Sequence, residues 1–216
     1  MREALAASAV LELFATAEAM DRYPALVTDA SEISPRDAAA LSETVTPQGL
    51  VAVCSLSQPS LADVLDRAPR LVAVLVEPND PGNLGTIIRT ADAAGADAVV
   101  VDGGVDPYNG KAVRASAGSL FHLPVVAASA AEVLTAGLLT LATSGAGTSD
   151  LDELIAAGAL AASSAWLFGT EAHGLPAGVL SAATHTVRVP IYGRAESLNL
   201  AAAAAVCLYA SARAQH

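Results

Sequence analysis

The feature that most constrains the fold is the run LVAVLV at residues 71–76. Six apolar residues in succession, half of them β-branched, show no alternation of faces. That is the pattern of a strand buried on both sides in a parallel sheet. The run stops at Glu77-Pro78-Asn79-Asp80-Pro81, and helical spacing takes over from Asn83 to Ala94, with Gly95 as its stop. Residues 98–101 supply a second strand. A strand, a crossover helix and another strand in roughly thirty residues make a parallel β-α-β unit.

The alternation continues to the end of the chain. Strands are expected at residues 124–127, 138–143, 165–168 and 186–189, and helices at 111–117, 130–134, 151–157, 176–182 and 200–210. The fold class is therefore α/β with a parallel sheet. Ahead of it lies a smaller αβαβ piece, with a helix end at 2–7, a strand at 10–16 and a helix at 18–26 disturbed by Pro24. A further helix opens on Ser34 as N-cap and Pro35, and after the TPQG turn a strand runs over 50–56. These readings divide the chain into a small domain at 1–59, a linker at 60–70 and a main domain at 71–216.

Charge argues against a phosphate-rich partner. The 216 residues carry a net charge of −11, with Lys111 the one lysine. Nucleic-acid binding rests on clustered Lys and Arg, so a basic zone has to be local, drawn from Arg89, Lys111, Arg114 and Arg194. Cys54 and Cys207 lie far apart, which suits a reduced, cytoplasmic chain. Glu3 and Glu12 interrupt any signal-peptide core, and the apolar run at 200–210 is too short to cross a bilayer. The four histidines show no ligand spacing with cysteines or acids, so no metal is expected.

Ligands of open α/β sheets sit beyond the carboxyl ends of the strands. Three such ends are rich in small residues or bare backbone: Ser144-Gly145, Gly169-Thr170-Glu171 and residues 189–193. In the first crossover helix, Leu84, Ile87, Ile88 and Ala91 form the core face. Gly82, Gly85, Thr86 and Arg89 form another, a bare surface with one long cation that a phosphate or ribose can approach; a surface arginine on an ordinary crossover helix is the alternative. Ser197 and Asn199 stand where a loop meets the Ala-rich helix, as caps or as ligand-binding groups.

Three segments, EPNDPGNLGTIIRTADAAGADAVVV at 77–101, LFGTEAHGLP at 167–176 and RVPIYGRAESLNLAAAAAVCLY at 188–209, resemble in this order the three motifs of the SpoU (TrmH-like) branch of the SPOUT RNA methyltransferases. The resemblance covers residues 71–209. It implies a parallel sheet with a C-terminal trefoil knot, a homodimer, S-adenosylmethionine as cofactor and a ribose 2′-hydroxyl of RNA as substrate, rRNA of the 23S type rather than tRNA. By motif, Asn83, Arg89, Glu171, Ser197 and Asn199 take the polar active-site positions, with Arg89 as the catalytic arginine. Glu171 is expected to hold its loop or pair with arginine. Thr143, Ser144, Gly169, Val189, Ile191 and Leu198 are expected at the cofactor, and Lys111, Arg114 and Arg194 on the RNA, with affinity that falls steeply with salt. The small N-terminal domain resembles the latter part of a ribosomal-protein-like RNA-recognition domain and is expected to be a partial, truncated version of it, and the Ala-rich helix is expected to present Ala203 or Ala204 to a second copy. Two readings of other classes stay open. One is an RNA-binding or ribosome-assembly protein of the same fold without turnover. The other is a nucleotide-binding α/β enzyme, which the lack of a Gly-x-Gly-x-x-Gly turn and of a Walker lysine disfavours.

Overall fold

The computed structural model describes every residue except Glu43 and Val45. Its contacts divide the chain into two units, Met1–Ser57 and Gln58–His216. The first contains α1 (Arg2–Ala6), β1 (Val10–Ala15), α2 (Ala17–Arg22), β2 (Ser31–Glu32), α3 (Pro35–Leu41) and β3 (Leu50–Cys54). Its sheet has the order β2-β1-β3, with β2 parallel and β3 antiparallel to β1. Thr16 caps α2 and Ser34 caps α3, each hydroxyl accepting a backbone N–H of the first turn. A small cluster of Ala15, Ala19 and Val27 forms the core of this unit.

The second unit begins with α4 (Leu61–Leu65), inside the stretch expected to be a linker. Ser60 and Asp63 close a capping box on it, and Val64 is buried against the sheet, so residues 60–70 are integral to this unit. Then follow β4 (Leu71–Val76), α5 (Pro81–Ala93), β5 (Ala98–Asp102), α6 (Gly110–Ala115), β6 (Val125–Ala127), α7 (Ala130–Leu134) and β7 (Leu139–Thr143). The remainder is β8 (Ser149–Asp150), α8 (Leu151–Ala156), β9 (Ser164–Phe168), α9 (Ala177–Ala182), β10 (His185–Arg188) and α10 (Leu200–Gln215). The seven strands are parallel throughout, in the order β6-β5-β4-β9-β7-β10-β8.

Central β4 is buried at all six positions. One face of the sheet packs on α5 and α10 through Leu84, Ile87, Ile88, Cys207 and Leu208, and the other on α4, α7 and α9. Truncating Leu84, which is fully enclosed, would cost about 2–5 kcal/mol. The Ala-rich α10 lies against α5, and its C-terminal half is pinned to the sheet. Buried Trp166 donates its indole N–H to Ser211 Oγ at 2.8 Å. Arg70 donates to the Gln215 carbonyl at 3.0 Å, and Gln215 Nε2 returns a bond to the Arg70 carbonyl at 3.1 Å.

Two readings of small residues need correction. Gly85 offers no open surface to a phosphate. It is buried where α5 crosses α6, and a Cβ there would run into the Ala112 carbonyl and come within 2.7 Å of the Ala115 methyl. On α10, Ala204 is fully buried in the core, and the exposed stripe is Ala202, Val206, Tyr209 and Arg213, in steps of four, three and four. The turn of helical phase that decides which alanine faces in cannot be read from a run of five identical residues.

Candidate active site at the strand ends

In the sheet, β4 leads towards β5 on one side while its other neighbour, β9, leads through α9 to β10 on the opposite side. The crevice between the carboxyl ends of β4 and β9 is thus a topological switch point, where an open α/β sheet leaves room for a ligand. Asp80, after β4, caps α5 through its side chain, and Asn83 stands in the first turn of that helix. After β9 the chain makes a tight turn closed by two backbone bonds between Thr170 and Gly174. Gly169 permits this closure, since a Cβ there would collide with the backbone of Gly174 and Leu175. Its lack of a side chain serves the turn directly, and the cleft behind it only indirectly.

The turn presents Glu171 to the other two motifs. Glu171 Oε1 accepts from Asn83 Nδ2 at 2.7 Å and from Asn199 Nδ2 at 2.9 Å, and lies 3.4 Å from the Leu200 backbone N–H. Asn199 Nδ2 also donates to Asn83 Oδ1 at 3.2 Å. The same Asn199 is the N-cap of α10, its Oδ1 accepting from the N–H groups of Ala201 and Ala202. Capping and site-building are therefore one role here, because the amide's oxygen and nitrogen face different partners. One carboxylate oxygen gathers three elements that are remote in sequence, and the helix N-terminus beneath it favours its charge.

Beside this junction is a cleft of about 200 Å³ at the ends of β7, β9 and β10. All six residues expected at the cofactor, Thr143, Ser144, Gly169, Val189, Ile191 and Leu198, line it, together with Glu171 and Ser197. Ile191 and Leu198 each keep 39% of their surface exposed, apolar area that a ligand would cover. Thr143 is half committed, its hydroxyl donating to the Leu167 carbonyl at 3.0 Å. Gly145 points its missing side chain into open space within the cleft. Such a lining, apolar walls with exposed backbone and few polar side chains, suits a flat heteroaromatic ring with hydrogen-bonding edges, and so fits the adenosine part of S-adenosylmethionine. Larger hollows, of about 800 and 630 Å³, lie on the N-terminal unit and hold none of the motif residues. Volume is therefore a poor guide to the site in this chain.

Arg89 stands apart from the junction. It is six residues beyond Asn83 on α5, about 9 Å further along the helix axis, exposed, and its side chain has no hydrogen bond or ion pair among the described residues. Lys111 is engaged at the head of the same helix, 2.7 Å from Asp80 Oδ1, and this bond holds the Asp80 carboxyl below the usual range. Arg114 lies on α6 and Arg194 on the loop before α10. The cleft also includes Gly145 and Thr170, which belong to the small-residue strand ends noted in the sequence, Ala203, which was expected on a dimer face, and Gly174, Val187, Glu196 and Leu200, which were not expected at the cofactor. Gly174 is a glycine in a quoted motif, and its positive φ of 66° explains why a glycine stands there. Among the described residues there is no group of three or more His, Cys, Asp or Glu able to hold a metal, and no helix long and apolar enough to cross a membrane.

Residues 70–209 match the model of the SpoU rRNA Methylase family. The chain is 41% identical over 175 residues to the 23S rRNA (guanosine(2553)-2′-O)-methyltransferase RlmP of Bacillus subtilis, a match spanning 79% of this chain and 67% of that protein. It is 37% identical over 182 residues to the 23S rRNA (uridine(2479)-2′-O)-methyltransferase of Streptomyces viridochromogenes, spanning 77% of this chain and 61% of that one. The solved structure of the SpoU methyltransferase AviRb from Streptomyces viridochromogenes, in complex with its cofactor AdoMet, superposes with a TM-score of 0.83 at 29% identity, covering 98% of this chain and 86% of that one. With the three motifs joined at one carboxylate beside the cleft, the chain belongs to the SpoU rRNA methylase family.

Proposed function

We propose that this protein transfers a methyl group from S-adenosylmethionine to a ribose 2′-hydroxyl in ribosomal RNA of the 23S type. The observation that carries the proposal is the Glu171 junction, which places the three motifs around the mouth of a cleft lined by every residue expected at the cofactor. When bound, the cofactor supplies an electrophilic methyl group on a sulfonium. The protein's task is then to orient the hydroxyl and raise its nucleophilicity. Asn83, Glu171 and Asn199 fix the approach of the ribose, and Ser197, which lines the cleft and whose hydroxyl has no hydrogen bond among the described residues, meets the ribose or its phosphate. Arg89, permanently protonated, steadies the target phosphate and the charge developing on the oxygen, with the proton passing to phosphate or water. Because a guanidinium offers a planar fork and an ammonium does not, Arg89→Lys should lose most of its turnover.

The reading extends to assembly. Val206 and Tyr209 each expose 43% of their surface on one stripe of α10. We infer that this stripe meets its copy in a homodimer, with the chain's C-terminal segment knotted as the family resemblance implies. The first unit serves RNA recognition, and Arg89, Arg194, Arg114 and Lys111 supply the local positive charge. No metal takes part. The test is methyl transfer to 23S rRNA from cells lacking the protein, with the modified nucleotide mapped. Transfer to rRNA that survives chelation supports the proposal; specific RNA binding with no transfer under saturating S-adenosylmethionine moves it to the assembly-protein reading. Val206→Glu should convert a sedimenting dimer to monomer, and a wild-type monomer with full activity would remove the dimer.

A further inference from the structure

The wall of the cleft is built partly from the segment between β10 and α10. Residues 191–199 are exposed without exception, yet Ile191, Glu196, Ser197 and Leu198 all line the cleft. A stretch this exposed has almost nothing to order it. Among the described residues, no backbone hydrogen bond ties any of residues 189–198, and only one side-chain bond does: Tyr192 donates its hydroxyl to Asp152 Oδ2 at 2.5 Å. Tyr192 is 86% exposed, so its ring has little packing of its own. Asp152 lies in the first turn of α8, and Asp150, the N-cap of that helix, takes a second bond from Arg188 Nη2 at 3.0 Å, just upstream of the loop. The start of the loop is thus fastened at two points to one rigid helix end. The hydrogen bond to the anionic Asp152 carboxylate raises the tyrosine's pKa above its ordinary value.

We propose that the Tyr192–Asp152 bond is a latch that holds Ile191 and the following turn in the cleft wall before cofactor arrives, making Tyr192 a positioning residue for cofactor binding. The proposal rests on the reading of this cleft as the S-adenosylmethionine site. Its physical content is preorganisation. With the latch closed, the adenosine-facing apolar wall exists in the free protein. With it open, ten residues free of backbone bonds must be ordered at the moment of binding, and affinity falls without any contact to the ligand being deleted. Tyr192 reaches no reacting atom, so the methyl transfer step itself is untouched once the cleft is filled.

The experiment is calorimetry of the full-length protein with S-adenosylmethionine and with S-adenosylhomocysteine, alongside initial rates. Tyr192→Phe keeps the ring and deletes the donor. Its dissociation constants for both ligands should rise about threefold to tenfold, the range expected for one exposed hydrogen bond to a carboxylate. The cofactor KM should rise in step, with kcat at saturating cofactor unchanged and the melting temperature of the free protein within a degree. Asp152→Ala should match it, and the double variant should be no worse than either single one, because both remove one interaction. Asp152→Asn, which retains an acceptor oxygen, should recover most of the affinity. Unchanged affinity in Tyr192→Phe overturns the latch, and so does an additive loss in the double variant or a loss confined to kcat. A wild-type protein that binds no S-adenosylmethionine overturns the cofactor reading and the latch with it. A wild type that binds while Tyr192→Phe binds equally well overturns the latch alone.

Discussion

Replacing Glu171 by alanine removes the acceptor shared by Asn83 and Asn199 and leaves the rest of the junction standing. The bonds lost measure 2.7 and 2.9 Å, with a weaker one at 3.4 Å from the Leu200 N–H. What remains is the 3.2 Å bond between the two asparagines and the cap of Asn199 on Ala201 and Ala202. All the partners lie near the surface, so each lost bond is taken at the low end of the usual range, about 0.5–1 kcal/mol. Two of them make about 1–2 kcal/mol. Because the α10 cap persists, the melting temperature should fall by only a few degrees. If the junction acts by positioning, nearly all of the loss appears in turnover, and methyl transfer should drop about fivefold to thirtyfold. Glu171→Gln separates geometry from charge. Its amide oxygen can accept the same two bonds, so its rate should stay within about threefold of wild type. The assay is initial-rate methyl transfer to 23S rRNA at saturating cofactor. Wild-type turnover in Glu171→Ala would refute the reasoning, and a Gln variant as slow as the Ala variant would show that the charge is what matters.

Gly85→Ala sets helix propensity against packing. The gain of about 1 kcal/mol from removing a helical glycine opposes a clash with the Ala112 carbonyl and the Ala115 methyl of α6, neither of which can swing aside. Overpacking costs about 1–3 kcal/mol and should win, lowering the melting temperature by roughly 4 °C; an unchanged or higher value would show that α6 yields freely. Cys207 is fully buried and its pKa is pushed up to about 12, whereas Cys54 is only half-buried. A thiol reagent at pH 8 should label one cysteine per native chain, Cys54, and both only after denaturation, since the thiolate is the reactive form; two labelled cysteines in the native state would place α10 outside the core. For RNA, Lys111 and Arg188 are already paired with Asp80 and Asp150. Counting Arg89 and Arg194 as the two phosphate contacts of each chain, log K against log salt should slope at about −1.5. That is shallower than the steep fall expected if Lys111 and Arg114 also reach phosphates, and a slope steeper than about −4 would reveal basic contacts beyond these.

The charge distribution bears on how such a chain holds RNA. The first unit has three arginines against eight acidic residues, a net −5, so it is no more basic than the whole. The RNA recognition proposed for it therefore cannot rest on a phosphate-tracking surface. Recognition by shape, or by unstacked bases against apolar side chains, is the route open to an acidic domain, and the exposed Leu11, Leu41 and Val53 of that unit are groups of that kind.

What the sequence made legible follows from how far each signal reaches. The LVAVLV strand, the α5 core face and the Ser34 and Asn199 caps are local patterns, and the structure carries each within a residue or two of its expected bounds. Residues 60–70 misled because flanking prolines look like a linker whether or not Val64 is buried behind them. Ser149–Asp150 is absent from the expected strands because a two-residue strand has no period; it exists through its pairing with β10. Ser144, Gly169, Val189 and Ile191 stood at small-residue strand ends, Thr143 and Leu198 came from motif position alone, and no spacing rule could have joined the two groups. Asn83 and Glu171 are separated by 88 residues, Asn83 and Asn199 by 116, and only the order of strands in the sheet brings them to one oxygen. The converse error, the bare face of α5, came from the same source. A glycine opened for a ligand and a glycine opened for a neighbouring helix leave the same mark in a sequence, and it takes the position of α6 to tell them apart.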